Sequence, residues 1–579
     1  MRRDVGYVLL LVSIPALVLA HLLIAPYTKV EESFHIQAIH DIETYGIPVR
    51  NISHVLRTEY DHFIFPGAVP RTFAGAVVLS GLSAPFIWLK DGLDRQFAAR
   101  AILGLLNAFS LLSFANGLRR AAGRTAAVWY LLFQASQFHV IYYASRTLSN
   151  MFAFGMTTCA LTALLPDPGN PDTYRKRSRV ALYLITIAGI VFRAELALFL
   201  ATHTLFLLGT GRISIIREIV PAGILGLTLG LLITVPVDSF FWQQFPLWPE
   251  LAAFRFNVLA GQSSAWGTHP WHYYFTNALP RLLLNPLTYL IGIPVSLSQP
   301  ATRRFVAALF IPSLAYIALY SAQPHKEWRF IVYAIPPLTA TAAIGTSYIW
   351  THRTKSLLYR LLSLAMITST LASLAISSFL LLPASSANYP GAQAINALHA
   401  HAQSHAQKPP PEHISVHLGN LACQTGVTRF LQLPTHHRPD ANSNATNWHY
   451  DKTESTALKS TLSFWSSFDY ALLEPNEADA LRTLFLSTAV LPHYETVEWD
   501  DVETIRAFNG LRLLGPGDEA AGTLEEGIIR WASPSEEKAD ELVEIWNGFR
   551  EMVRRSVTGG WWVEVKMEPR IVVLKQVKV

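Results

Sequence analysis

The chain has 579 residues, of which 51% are hydrophobic, 12% aromatic and only 15% charged. Soluble domains carry roughly 25% charged residues, so this composition excludes a soluble protein and indicates a multi-pass membrane protein. The formal charge of +5 does not indicate nucleic acid, because the Lys and Arg residues lie between apolar runs. The positive-inside bias and lipid headgroups account for such residues.

Apolar segments recur along the first 383 residues and predict a mainly α-helical bundle. Val5 to Ala25 follows two arginines and is long enough for the roughly 20 residues of a span. It predicts an uncleaved signal anchor with its N-terminus in the cytosol. Ten more segments follow, near 73–90, 97–118, 126–144, 147–165, 180–208, 218–236, 279–298, 304–322, 330–350 and 357–383.

About eleven spans would place both the loop after the first span and the C-terminal part in the lumen. The same count puts Arg119, Arg120 and the basic run 175–179 on that side, against the positive-inside expectation. Two alternatives therefore stay open: one segment is re-entrant, or the long 180–208 stretch is two short broken helices.

The composition divides the chain into three parts. We predict a transmembrane domain over 1–383 with a first lumenal loop at 26–72, a linker rich in Ala, Ser, His and Pro over 384–412, and a small soluble lumenal domain over 413–579. Alternating apolar residues predict a mixed α/β fold for that last domain, with strands at 414–418, 470–473, 561–565 and 571–574 and a helix at 536–555. Two glycosylation sequons, at Asn51 and Asn444, agree with lumenal placement.

A dense charge cluster lies immediately after the first span, in Thr28-Lys29-Val30-Glu31-Glu32-Ser33-Phe34-His35. Ionisable groups at a bilayer boundary need water, a partner or a function, so two adjacent carboxylates there are candidates for chemistry. The alternative is an interfacial cluster that only marks the end of the span.

Three further charged motifs lie within or between apolar runs. Arg193 and Glu195 must pair across helices or line a polar cavity, because an unpaired charge there costs several kcal/mol. Arg146, at a break between two spans, binds a phosphate or marks a turn. The segment from Pro324 to Phe330 carries three basic side chains in five positions, which predicts an anion site over the alternative of a solvated turn.

These motifs, taken in order, resemble the endoplasmic-reticulum mannosyltransferases that use dolichyl-phosphate mannose, which form glycosyltransferase family 22 of the GT-C architecture. The resemblance is carried by Glu31–Phe34, Tyr60–His62, Phe65–Thr72, Ser145–Thr147, Phe192–Leu196, Ser264–Thr268 and His325–Phe330. Within the family, four segments resemble the branch that adds the eighth mannose of the lipid-linked oligosaccharide in α-1,6 linkage: Thr28–Phe34, Tyr60–His62, Ala278–Arg281 and Gln424–Phe430.

The resemblance implies an inverting transfer of mannose from dolichyl-phosphate mannose to a seven-mannose dolichol-pyrophosphate-linked oligosaccharide, in N-glycan precursor assembly. It implies a multi-pass protein of the endoplasmic-reticulum membrane whose active site faces the lumen. Such a reaction needs a carboxylate to take the proton of the attacking hydroxyl. Other members carry Asp-Glu where this chain has Glu31-Glu32. Glu31 matches the family aspartate, and which of the two is the base stays open.

The departing lipid phosphate needs cationic or neutral donors. The resemblance assigns this role to Lys326 and Arg329, together with His325 and Arg146, and it makes Tyr60, Asp61, His62 and Trp266 candidate contacts of the acceptor sugar. No metal-ligand spacing, Walker loop or dinucleotide fingerprint occurs in the sequence. We therefore expect neither a metal nor a cofactor.

Two other functions remain open at this point. One is an α-1,2-mannosyltransferase of the same family, acting on the same oligosaccharide or on a glycolipid anchor. The other is a polytopic lipid or sugar transporter with Arg193 and Glu195 on the substrate path. A transporter of that kind should show paired half-helices and two-fold repetition, and neither is visible in the sequence.

Overall fold

The computed structural model describes residues 2–90, 92–405, 411–433, 446–486, 497–519, 523–533 and 535–578. Two compact units divide the chain. The membrane unit comprises residues 1–23 and 34–380, and the C-terminal unit comprises residues 24–33 and 381–579. The sequon asparagine Asn444 lies outside the described residues.

The membrane unit is a bundle of helices, and the first residues of its second helix belong to the C-terminal unit. Its α-helices are α1 (Arg2–Ile24), α2 (Val30–Tyr45), α3 (Ile52–Glu59), α4 (Asp61–Ile64), α5 (Ala74–Leu89), α6 (Arg95–Ala122), α7 (Arg124–Ser136), α8 (Phe138–Tyr143), α9 (Ser149–Leu164), α10 (Tyr174–Val191), α11 (Leu196–Gly209), α12 (Val220–Trp242), α13 (Pro249–Phe254), α14 (Leu279–Leu283), α15 (Ile293–Ser298), α16 (Pro300–Tyr320), α17 (Ile335–Thr351) and α18 (Leu357–Ala375).

The predicted apolar segments all fall on these helices, which confirms the helical membrane fold. In the described part of the chain, six helices are long and apolar enough to cross a membrane, or seven if the bent pair Tyr274–Leu283 and Thr288–Ser298 is one span. Two more apolar helices, α5 and α11, have 16 and 14 residues, fewer than the roughly 20 that a span needs. The 180–208 stretch is indeed two helices, α10 and α11, with a break at 192–195.

Helix α17 continues directly from the helical turn Trp328–Ala334, and most residues of both segments are buried inside the membrane unit. Small residues allow this enclosure. A Cβ placed on Gly345 would lie 1.9 Å from the carbonyl oxygen of Gly292, in the helical turn Thr288–Gly292 that precedes α15. The two backbones can approach this closely only because neither residue has a side chain.

The C-terminal unit is built on one five-stranded sheet, which confirms the predicted small mixed domain. Its elements are α19 (Leu382–Ser386), α20 (Pro390–Ser404), β1 (His413–Leu418), α21 (Asn420–Gln424), β2 (Asn447–Asp451), α22 (Thr456–Lys459), α23 (Leu462–Trp465), β3 (Tyr470–Leu473), α24 (Pro475–Leu486), β4 (Val497–Leu514), α25 (Thr523–Ala532), α26 (Glu536–Ser556) and β5 (Trp562–Lys578). The strand order is β2-β1-β3-β5-β4.

The sheet is mixed: β1 pairs in parallel with β2 and β3, whereas β5 runs antiparallel to β3 and β4. Strand β3 is buried along its whole length, as expected for a central strand. The stretch that we predicted as a linker contains α20, whose Ala394, Ile395 and Leu398 are buried in the core of this unit. The two apolar runs near 561 and 571 belong to one long strand, β5.

Candidate active site

The two candidate base residues lie in the first turn of α2, in the short stretch 24–33 that belongs to the C-terminal unit. Glu32 is 2% exposed, and its Oε1 accepts a hydrogen bond of 3.1 Å from the backbone N–H of Lys29, the residue before the helix. This is the carboxylate half of a capping box. Glu31 is exposed. The two adjacent carboxylates therefore have different surroundings, one fastening the helix start and the other facing outward.

Lys29 holds this helix start within the same unit. Its Nζ donates a hydrogen bond of 3.2 Å to Asn388 Oδ1 and lies 5.3 Å from the centre of the Tyr389 ring. Tyr27 accepts a hydrogen bond of 3.0 Å from Asn396 through its hydroxyl. The segment between α1 and α2 is thus anchored on the junction between α19 and α20 and on α20 itself.

A polar cluster fills the break between α10 and α11 in the membrane unit. Glu195 Oε1 accepts three hydrogen bonds, from Arg193 Nε at 2.9 Å, Asn150 Nδ2 at 3.0 Å and the Tyr333 hydroxyl at 3.3 Å. Asn150 also donates to the backbone carbonyl of Arg329 at 3.3 Å. The pair that the sequence predicts as buried is therefore joined within one break, and α9 and the segment Trp328–Ala334 complete its surroundings.

Glu250, at the start of α13, supports the same break from outside the spanning helices. Its Oε2 accepts a hydrogen bond of 2.6 Å from the backbone N–H of Ala194. Burial raises the pKa of Glu250 to about 8, against the opposing effect of the Arg193 charge. At neutral pH this carboxyl is therefore mostly protonated and does not neutralise the nearby arginines.

The basic motif His325 to Arg329 is organised by its own glutamate. Glu327 Oε1 accepts hydrogen bonds from Arg329 Nη2 at 2.6 Å and from His325 Nε2 at 2.9 Å. Burial opposes ionisation of Glu327, but the Arg329 guanidinium and His325 outweigh it and lower the pKa of the carboxyl. His325, Glu327 and Arg329 therefore form one ion-paired cluster. Its role as an anion site stays a prediction.

Lys326 donates to two backbone carbonyls outside that cluster. Its side chain is 3% exposed, and Nζ donates to the carbonyls of His269, at 2.9 Å, and Gln323, at 2.5 Å. The His269 backbone N–H in turn donates to the Pro324 carbonyl at 3.0 Å. The ammonium thus fastens the loop before α14 to the loop before residue 328.

Arg146 is buried in the turn between α8 and α9. Its guanidinium carbon lies 4.3 Å from the centre of the Tyr142 ring, a cation–π distance. The next helix begins three residues later, with Ser149, and carries Asn150 of the polar cluster.

Two of the four predicted acceptor contacts face the interior. Tyr60 is fully buried and donates from its hydroxyl to the Gly46 carbonyl at 2.7 Å, and His62 Nε2 lies 2.9 Å from the Phe241 carbonyl. Burial lowers the pKa of His62, so the neutral ring donates this bond. The backbone N–H of Asp61 donates to Asp41 Oδ2 at 2.8 Å. Trp266 is 57% exposed.

Asn150, Tyr333 and Glu250 belong to the polar cluster at the break between α10 and α11, although none of them stands out in the sequence. Asn150 comes three residues after the Ser145–Thr147 motif, and this nearness was a signal. Tyr333 and Glu250 gave no signal in the sequence, because they contact the break at 192–195 from positions 138 and 56 residues away along the chain. No group of three or more His, Cys, Asp or Glu side chains in the described ranges is placed to hold a metal ion.

The fold resembles that of a solved structure. The crystal structure of ArnT from Cupriavidus metallidurans bound to undecaprenyl phosphate superposes with a TM-score of 0.54, covering 85% of this chain and 96% of that one at 14% identity. This likeness concerns the fold. Together with the apolar helices, it defines a multi-pass membrane protein with a helical bundle of GT-C type.

The sequence comparisons define the family. The model of the Alg9-like mannosyltransferase family matches residues 58–432. The Dol-P-Man:Man(7)GlcNAc(2)-PP-Dol alpha-1,6-mannosyltransferase of Saccharomyces cerevisiae is 34% identical over 85% of this chain and 86% of its own length. The probable enzyme of the same name from Schizosaccharomyces pombe is 36% identical over 78% and 74%. The chain belongs to the Alg9-like mannosyltransferase family.

Proposed function

We propose that the protein transfers mannose from dolichyl-phosphate mannose to a seven-mannose dolichol-pyrophosphate-linked oligosaccharide and forms an α-1,6 linkage. The observation that carries this proposal is the identity of 34% with the yeast α-1,6-mannosyltransferase across 85% of the chain. Family membership makes the protein a mannosyltransferase. The linkage and the two lipid substrates follow from the names of its full-length relatives.

The reaction is a single displacement at the anomeric carbon. The bond from C1 of mannose to the phosphate oxygen breaks, and its electron pair stays on the lipid phosphate. The acceptor oxygen forms the new bond to C1, and its proton passes to a carboxylate. Inversion at C1 converts a β-linked donor into an α product.

Glu31 is our choice for that carboxylate, and Glu32 supports it. The exposure of Glu31 makes it accessible to a hydroxyl, whereas the Glu32 carboxylate already accepts the Lys29 N–H that starts α2. A base must reach the proton that it abstracts, so accessibility favours Glu31.

Arg329, with His325, is proposed to bind the donor phosphate, and Lys326 and Arg146 contribute positive charge from buried positions. Arg329 donates a hydrogen bond from Nη2 to Glu327, and its buried Nε has no hydrogen-bond partner in the part of the chain that the structure describes. An unused donor on a buried cation is suited to the growing charge of a leaving phosphate. Trp266 offers an exposed ring to an acceptor sugar, with Tyr60, Asp61 and His62 shaping the first loop.

The multi-pass chain is proposed to reside in the endoplasmic-reticulum membrane with this site facing the lumen. Support comes from the substrates named for its relatives and from the charged motifs, which lie at loops between apolar helices. The dolichyl chains of both substrates then lie among the membrane lipids.

An in vitro assay tests the proposal. Purified protein is incubated with dolichyl-phosphate mannose and a seven-mannose lipid-linked acceptor, and the product is digested with linkage-specific mannosidases. We expect one added mannose that an α-1,6-specific enzyme removes. A product sensitive only to an α-1,2-specific enzyme, or transfer only to a glycolipid anchor, would keep the family and refute the linkage. No transfer to any acceptor would revive the transporter alternative.

A further inference from the structure

Arg193, in the polar cluster at the break between α10 and α11, has unused hydrogen-bond donors. Its Nε is bonded to Glu195, and in the described chain neither Nη atom donates a hydrogen bond to another residue. The side chain is nevertheless held firmly, because Glu195 also accepts from Asn150 and Tyr333, and Glu250 fixes the backbone of Ala194. With 26% of the side chain exposed, these donors are accessible to a ligand.

Arg193 and Arg329 meet at one aromatic ring. Their guanidinium carbons lie 5.3 Å and 5.7 Å from the centre of the Phe330 ring. Each arginine is paired with its own glutamate through one nitrogen only, Nε of Arg193 and Nη2 of Arg329. Each therefore keeps further N–H groups for a shared anion, and a pair of guanidinium forks is well suited to a phosphate.

Two ion pairs lie beside Phe330. Arg193 pairs with Glu195 and Arg329 pairs with Glu327, so the positive and negative charges of these four side chains balance. Burial raises the pKa of Glu250 to about 8, so its carboxyl adds little negative charge at neutral pH. The N–H groups that neither ion pair uses are therefore the ones that can bind a phosphate.

We propose that Arg193 is a second phosphate-binding arginine, which binds the phosphate of the polyprenyl-phosphate donor together with Arg329, next to Phe330. This assignment rests on the proposed function for the identity of the donor. Glu195 and Glu250 are positioning residues, because they hold Arg193 and its backbone without contacting the phosphate. Charge on the phosphate grows as the C1–oxygen bond breaks, so Arg193 stabilises the transition state more than the bound donor.

The decisive experiment measures lipid-phosphate binding without turnover. The purified protein is titrated with a short-chain dolichyl phosphate and, separately, with the matching uncharged dolichol. We expect Arg193→Gln to weaken dolichyl phosphate binding about tenfold or more, the usual effect of losing a charged hydrogen bond, and to leave dolichol binding unchanged. Arg303→Gln is the matched control, since Arg303 is an exposed arginine of the membrane unit outside the cluster.

A second variant separates binding from folding. Arg193→Gln alone leaves Glu195 as an uncompensated charge, which destabilises a protein. The double variant Arg193→Gln with Glu195→Gln removes both charges and keeps hydrogen-bonding groups at both positions. We expect it to fold, with a melting temperature near that of the wild type, and still to bind dolichyl phosphate about tenfold more weakly.

The outcomes separate the two proposals. If the folded double variant binds dolichyl phosphate as tightly as the wild type does, the pair is only structural and the assignment of Arg193 falls. If the wild type binds dolichyl phosphate through Arg193 but transfers no mannose, the proposed function falls and the phosphate site stands. In an active enzyme, Arg193→Lys should lower kcat more than it raises KM for the donor.

Discussion

The two adjacent glutamates should respond very differently to the same isosteric change. Glu31→Gln keeps the size of an exposed side chain and removes its basicity. We expect turnover to fall roughly 100- to 10,000-fold, the usual contribution of a general base. The melting temperature should change little, because the Glu31 side chain is exposed and the carboxylate that caps α2 is that of Glu32.

The structure sets a much smaller effect for Glu32. In Glu32→Gln the amide oxygen still accepts the Lys29 N–H now bonded at 3.1 Å, and glutamine occupies this position of a capping box as well as glutamate does. Turnover should then stay within about tenfold of the wild type. Glu32→Ala removes the cap and should cost about 1 kcal/mol of stability, the typical loss for a helix N-terminus.

Single-turnover transfer from dolichyl-phosphate mannose measures the chemical step, and thermal unfolding in detergent measures the cap. The assignment of Glu31 as the base is refuted if Glu32→Gln loses turnover as severely as Glu31→Gln does, or if Glu31→Gln retains turnover. Equal losses would mean that both carboxylates share one proton, as closely spaced acids do.

Three further changes test the surroundings of the site. Lys326→Met leaves two carbonyls without their shared donor, and we expect a lower melting temperature together with reduced turnover; an unchanged melting temperature would contradict its loop-holding role. In the folded protein Glu250 keeps its proton up to about pH 8, whereas in the unfolded chain it loses the proton near pH 4.5. The free energy of unfolding should therefore fall by up to about 1.4 kcal/mol per pH unit as the pH rises through that range. Melting curves of Glu250→Gln should lack this dependence. Gly345→Ala forces a Cβ onto the Gly292 carbonyl and should cost about 1–3 kcal/mol, whereas Gly223→Ala, with open space around it, should be tolerated in the same unfolding assay.

The sequence by itself determined the class of this protein. Low charge and repeated apolar runs require a lipid environment, and in lipid the backbone of each run must satisfy its own hydrogen bonds as a helix. The ordered motifs were sufficient for the family, and the short apolar stretches at 414–418 and 470–473 were sufficient for β1 and β3. Strand β4 escaped prediction because its exposed and buried residues do not alternate cleanly across three irregularities in its pairing with β5.

The tertiary structure decided what the charged side chains do. Glu31 and Glu32 look equivalent in the sequence, and only the start of α2 makes one a cap and leaves the other exposed. Lys326 stands in the sequence only as part of a basic motif, and the fold adds that its ammonium donates to the His269 carbonyl, 57 residues away along the chain. A side chain's function depends on the partners that reach it, and those partners come from distant parts of the chain that only the folded structure brings together.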